Sequence, residues 1–71
     1  MQDSTSNNER NGSLIGREFT DMSNFEGYTV IGEIDHNYLK VQLSAMKRAD
    51  LPFGIEVIHR DEIDGETLKW M

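Results

Sequence analysis

From Tyr28 to Leu43 the apolar positions fall into two runs whose alternation agrees when one folds back on the other. With His36-Asn37 as a two-residue loop, the expected cross-strand pairs are Asp35–Tyr38, Ile34–Leu39, Glu33–Lys40, Gly32–Val41, Ile31–Gln42 and Val30–Leu43. Side chains directly opposite each other share a face, so Val30, Ile34, Leu39, Val41 and Leu43 are expected to form one apolar surface. Asp35, Glu33, Lys40 and Gln42 take the other face, together with Tyr38 and Ile31. A slip of one residue would carry Lys40 or Glu33 into the apolar surface, so the pattern specifies its own pairing. Asn and His accept positive φ more readily than most residues, which suits the loop, although Asn-Gly would be the stronger turn signal.

Leu14 to Phe19 predicts a short first strand interrupted by Gly16, and Thr20 to Glu26 a turn region in which Asp21, Ser23 and Asn24 bond their own backbone. Ser44 to Asp50 is the one segment with helical leanings, long enough for a single turn or a loop, and Pro52 closes it. Phe53 to His59 predicts a fourth strand with Phe53, Ile55, Val57 and His59 on one side and Gly54, Glu56 and Ile58 on the other. Arg60 to Ile63 is expected to make a tight or 3₁₀ turn that buries Ile63. Asp64-Gly65 is a turn signal, and Glu66 to Trp70 a last short strand. Trp70 is expected to cover the core, because a small domain rarely leaves its only tryptophan unused.

Five short strands with frequent turns predict an all-β domain over residues 14–71, a small five-stranded SH3-like barrel whose closure removes exposed edges. Gly32, opposite Val41, would supply a bend. Residues 1–13 hold no large apolar side chain after the initiator and are expected to form a disordered tail.

Gly16 with Phe19, then Gly27, Val30 through Leu43, Met46, Leu51 and the run Val57-Ile58-His59 are similar to the small KOW-like, SH3-like barrel proteins of low-GC bacteria. The likeness spans roughly residues 14–63 and implies a fold whose members bind RNA, DNA, ribosomal or transcription partners, or other proteins. Val30-Ile31-Gly32, Leu39-Lys40-Val41 and Ile58-His59-Arg60-Asp61-Glu62-Ile63 also resemble the central strands and a following segment of the carbon storage regulator family of RNA-binding dimers. That second resemblance implies an RNA contact for Arg60. The chain departs from that family in lacking an arginine-bearing first strand, in its longer loop at Ser44 to Pro52, and in its acidity.

Composition narrows the function classes. With 71 residues there is room for one small domain. Modest stability is expected, or a partner or second copy that completes the core. The absence of cysteine leaves no disulfide framework and no thiolate metal site. No apolar run has the length of a secretory h-region or a membrane span, so a cytoplasmic protein without membrane contact is the expectation. A formal charge of −6 argues against non-specific attraction to nucleic acid or an acidic membrane.

Candidate chemistry is sparse. His36 reads as an exposed turn residue, and His59 as a structural residue beside Arg60 and Asp61. Two histidines far apart in sequence, without cysteine, argue against zinc. There is no Gly-x-Ser-x-Gly or Cys/His combination for nucleophilic catalysis. Aligning Gly65 with the sixth position of a calcium loop places Arg60 at the first ligand and Met71 at the last, so that match fails. No cofactor is expected. Lys40, Lys47 and Arg48, with Tyr28, Tyr38 and Arg60, could converge as a basic, aromatic binding platform. Alternatively Lys40 pairs with Glu33 across the hairpin, and Lys47-Arg48 are solvated loop charges. The expected function is a non-catalytic interaction module that binds a protein partner through the 44–52 loop and adjoining strand edges. The alternatives are an RNA- or single-stranded-DNA-binding barrel and an acidic DNA mimic. The last requires carboxylates arrayed along one face, whereas here they concentrate in the 61–66 turn.

Overall fold

Val30, Leu39 and Val41 are at most 1% exposed, and the strands are disposed to keep them so. In the computed structural model, which describes residues 13–71, the elements are β1 (Glu18–Asp21), β2 (Glu26–Glu33), β3 (Tyr38–Leu43), α1 (Ser44–Arg48), β4 (Ile55–His59), a 3₁₀ turn (Arg60–Glu62) and β5 (Leu68–Trp70). The five strands pair antiparallel in one sheet of order β4-β3-β2-β1-β5. The all-β class expected from the alternation is therefore present. The last strand returns to the first, with Phe19 opposite Trp70. The expected tail lies, apart from Ser13, outside the described residues. No helix among the described residues is long and apolar enough to cross a membrane.

The central hairpin forms where the pattern places it, but in a different register. Val30 opposes Val41 rather than Leu43, and Tyr28 opposes Leu43. Between Val30 and Gly32 the ladder shifts, with Ile31 as the extra residue of a β-bulge. Beyond the bulge Gly32 opposes Lys40, not Val41, and Glu33 opposes Leu39. The turn accounts for the change. Asp35 Oδ1 accepts from the N–H groups of Asn37 at 2.8 Å and Tyr38 at 3.0 Å, and the Ile34 N–H donates to the Tyr38 carbonyl at 3.0 Å. The loop thus runs from Ile34 to Asn37, and Ile34, expected in the core, is 57% exposed. Leu43 is half-buried. The Lys40–Glu33 pair does not form. Glu33 Oε2 instead accepts from Ser13 Oγ at 3.2 Å and the Leu14 N–H at 2.9 Å.

β1 begins later than expected because Gly16, at φ +95°, turns the chain before it. Its N–H donates to the Val30 carbonyl at 2.8 Å, while the Val30 N–H donates to Arg17. The strand then continues through Asp21, into what the sequence suggests is turn. β4 likewise starts at Ile55 rather than Phe53, since Gly54 sits at φ +74°.

The core joins Phe19 and Ile63 to the three central residues, with Leu14, Tyr28, Ile58, Leu68 and Trp70 packed around them. Ile63 is buried by the 3₁₀ turn as expected, and the turn is capped by His59, whose Nδ1 accepts from the Asp61 N–H at 3.1 Å. Trp70 is a half-buried lid. Its ring meets Phe19 edge-on at 5.9 Å between centroids, and the Arg17 guanidinium lies 4.3 Å from its centroid. Edge-to-face and cation–π contacts of this kind each add about 1 kcal/mol beyond burial.

Candidate interaction groove

On the sheet face away from the core, a small polar layer positions the segment after β3. Thr29 and Gln42 oppose each other across β2 and β3, and both are buried. Thr29 Oγ1 and Ser44 Oγ share a hydrogen bond of 2.7 Å, which fixes the start of α1. Gln42 Nε2 donates to the carbonyls of Leu51 at 2.7 Å and Phe53 at 2.9 Å. A five-residue helix cannot hold itself in place. These side chains hold it over the sheet.

Between α1 and the β1–β2 turn lies an open groove of about 480 Å³. Thr20 and Gly27, opposite each other in the β1–β2 ladder, lie along it, with Ala45 and Met46 from α1 on one side and Phe25 and Met71 completing its apolar lining. Glu18, Glu26 and Arg48 supply its charge. A Cβ at Gly27 would meet Ser44 at an ordinary 3.8 Å, so the groove floor has room for a small side chain there.

Phe25 is the unusual member. It adopts φ +59°, the left-handed region that bulky side chains avoid, and it is 78% exposed. The neighbouring turn enforces this. Asp21 Oδ1 accepts from the Ser23 N–H and hydroxyl, and Asn24 Oδ1 from the Glu26 N–H at 3.0 Å. Left-handed backbone costs about 1–2 kcal/mol for a residue with a Cβ. The turn thus holds an aromatic ring in water at an energetic cost.

This end of the molecule is acidic. Burial pushes the Tyr28 hydroxyl above its ordinary pKa, and the carboxylates of Glu56, Glu26 and Asp21 raise it further. Among the described residues no cluster of three or more His, Asp or Glu side chains is placed to hold a metal ion.

The residues singled out from sequence do not form one platform. Tyr28 faces the core and stacks on Phe19, 5.4 Å between centroids and 9° from parallel. Tyr38 and Lys40 are exposed on the opposite face of β3, with Tyr38 edge-on to His59 at 5.0 Å. Lys47 and Arg48 lie on α1, at the far end of β3 from Tyr38, and Arg48 borders the groove. Arg60 opens the 3₁₀ turn, and its Nε is buried without a hydrogen-bond partner among the described residues. Sequence reasoning missed Phe25 and Met71 as groove residues. The available signal was Phe25 itself, an aromatic set between turn-forming Asn24 and Glu26 where no alternation offers it a buried face.

No protein-family model, no curated protein and no solved structure matches this chain.

Proposed function

We propose that this chain is a non-catalytic interaction module that takes an extended segment of a protein partner into the groove beside α1. The observation that carries the reading is Phe25, held exposed at positive φ on the groove wall. A ring kept in water against backbone preference gains its burial when a partner arrives. Met46 and Met71 line the same groove, and methionine side chains adapt their shape to different apolar guests. Glu18 and Glu26 favour a guest with Lys or Arg beside its apolar residue. A net charge of −6 steers such a partner at a rate that falls as salt rises. The groove uses the first half of the 44–52 segment, and Arg48 borders it.

An SH3-like barrel left open between β4 and β5 is part of this reading. It is supported by β5 pairing back on β1, by the bulge at Ile31, and by the 3₁₀ turn before the last strand. Nucleic-acid binding has less support. It would rest on Tyr38 and Lys40 without Tyr28, and with Arg60 set apart from Lys47 and Arg48.

The test is selection of a random peptide library against the protein and against Phe25→Ala. Peptides combining an apolar residue with adjacent Lys or Arg should be enriched by the first and lost with the second. Replacing Phe25 should weaken a recovered peptide about tenfold or more, as for a central aromatic anchor. No enrichment, or enrichment indifferent to Phe25, contradicts the reading.

A further inference from the structure

We propose that β4 pairs antiparallel with β4 of a second copy of this chain, about a twofold axis at Val57. Among the described residues β4 is one of the two edges of the sheet, β5 being the other. Its hydrogen-bonding phase follows from the two bonds that bracket it, Leu43 N–H to the Gly54 carbonyl at 3.0 Å and Arg60 N–H to the Asn37 carbonyl at 2.7 Å. With the register Leu39–Ile58 and Val41–Glu56, those bonds direct the backbone groups of Glu56 and Ile58 toward β3. Ile55, Val57 and His59 therefore turn their N–H and C=O groups outward, where they meet no backbone partner among the described residues.

Those same three residues put their side chains on the outer face of the sheet, where Ile55 is 41% and Val57 56% exposed. The edge thus offers unpaired backbone groups and an apolar stripe together. The run Ile-Glu-Val-Ile-His contains no Pro, Lys or bulge, and Glu56 is the one charge that guards this edge.

A second copy pairs along the whole length of this edge only about Val57. Antiparallel pairing about Val57 sets Val57 against Val57 and Ile55 against His59, so the outward-bonding residues meet outward-bonding residues and the apolar stripes join on one face. On the other face Glu56 lies opposite Ile58 of the second copy. Its two diagonal neighbours there are Arg60 and Glu56 of that copy. Both lie within reach of long side chains, which turn toward the opposite charge and away from the like one. Among the described residues Arg60 Nε meets no hydrogen-bond partner.

The full chain should sediment as a reversible monomer–dimer mixture between about 10 μM and about 1 mM. Val57→Lys sets two ammonium groups against each other on the axis and should weaken the dimer at least about tenfold. Because Val57 is exposed, the circular dichroism should not change. A second variant uses the absence of cysteine. Val57→Cys brings two thiols together in a hydrogen-bonded pair with Cα atoms about 5.5 Å apart, within disulfide reach. It should cross-link under mild oxidation much faster than Ile34→Cys, on an equally exposed loop. A chain that stays monomeric throughout, a dimer indifferent to Val57→Lys, or equal cross-linking of the two cysteine variants would overturn the proposal.

Discussion

A methyl group at Gly54 would sit 2.9 Å from Leu43 Cδ1 and 3.1 Å from its Cβ and Cγ, on a backbone at φ +74°. Steric clash and left-handed strain act together there. Gly54→Ala should therefore lower the unfolding free energy by about 2 kcal/mol or more, read from the urea midpoint. Gly32 is the control: a Cβ there would meet Lys40 Cβ at an ordinary 3.6 Å. Gly32→Ala should change stability by less than about 1 kcal/mol. Equal losses at both positions would show that the turn before β4 is not held as described. Tyr28 makes a second residue-scale prediction. Burial and nearby carboxylates raise its pKa in the folded state, so the folded chain holds that proton more tightly than the unfolded one. The resulting stability is complete below the unfolded value near 10 and is lost as pH rises through the folded value. Tyr28→Phe should flatten the alkaline fall in stability, and an unchanged pH profile would contradict the burial of the hydroxyl.

At the scale of elements, the hairpin was legible because a strand's period of two needs only residues two apart to agree. Val30, Leu39 and Val41 are core residues, as the alternation predicts. Its register was not legible. Ile31 bulges and Asp35 widens the loop through bonds to Asn37 and Tyr38, and neither event changes the pattern of apolar positions enough to be read. The shift of two residues before the bulge preserves the face, which is why the core survives an incorrect pairing. Short-range turn chemistry read better: the 3₁₀ turn at Arg60 and the burial of Ile63 follow from contiguous residues. The placement of α1 depends on the Thr29–Ser44 bond, which predicts coupling between them. Thr29→Val alone and Ser44→Ala alone each leave a buried hydroxyl unpaired and should cost about 1–3 kcal/mol. The double variant should cost less than the sum by about 1 kcal/mol. Additive losses would mean that the two hydroxyls do not hold the helix to the sheet.

For the whole molecule, the sequence carried the charge and the class of fold but not the groove. Phe25, Met46 and Met71 come from the β1–β2 turn, α1 and the residue after β5, so only the folded sheet brings them together. Lys40, Lys47 and Arg48 looked convergent because they lie close in sequence, yet the length of β3 separates Tyr38 from α1. The groove and the β4 edge use different residues, so the two proposed contacts do not compete for the same surface. The most direct test of the groove is a methyl spectrum of the protein labelled at methionine, titrated with a peptide recovered by selection. The account predicts that the signals of Met46 and Met71 shift together and saturate, while that of Met22, exposed in the β1–β2 turn but outside the groove lining, stays in place. Saturable binding that leaves Met46 and Met71 unmoved would contradict it.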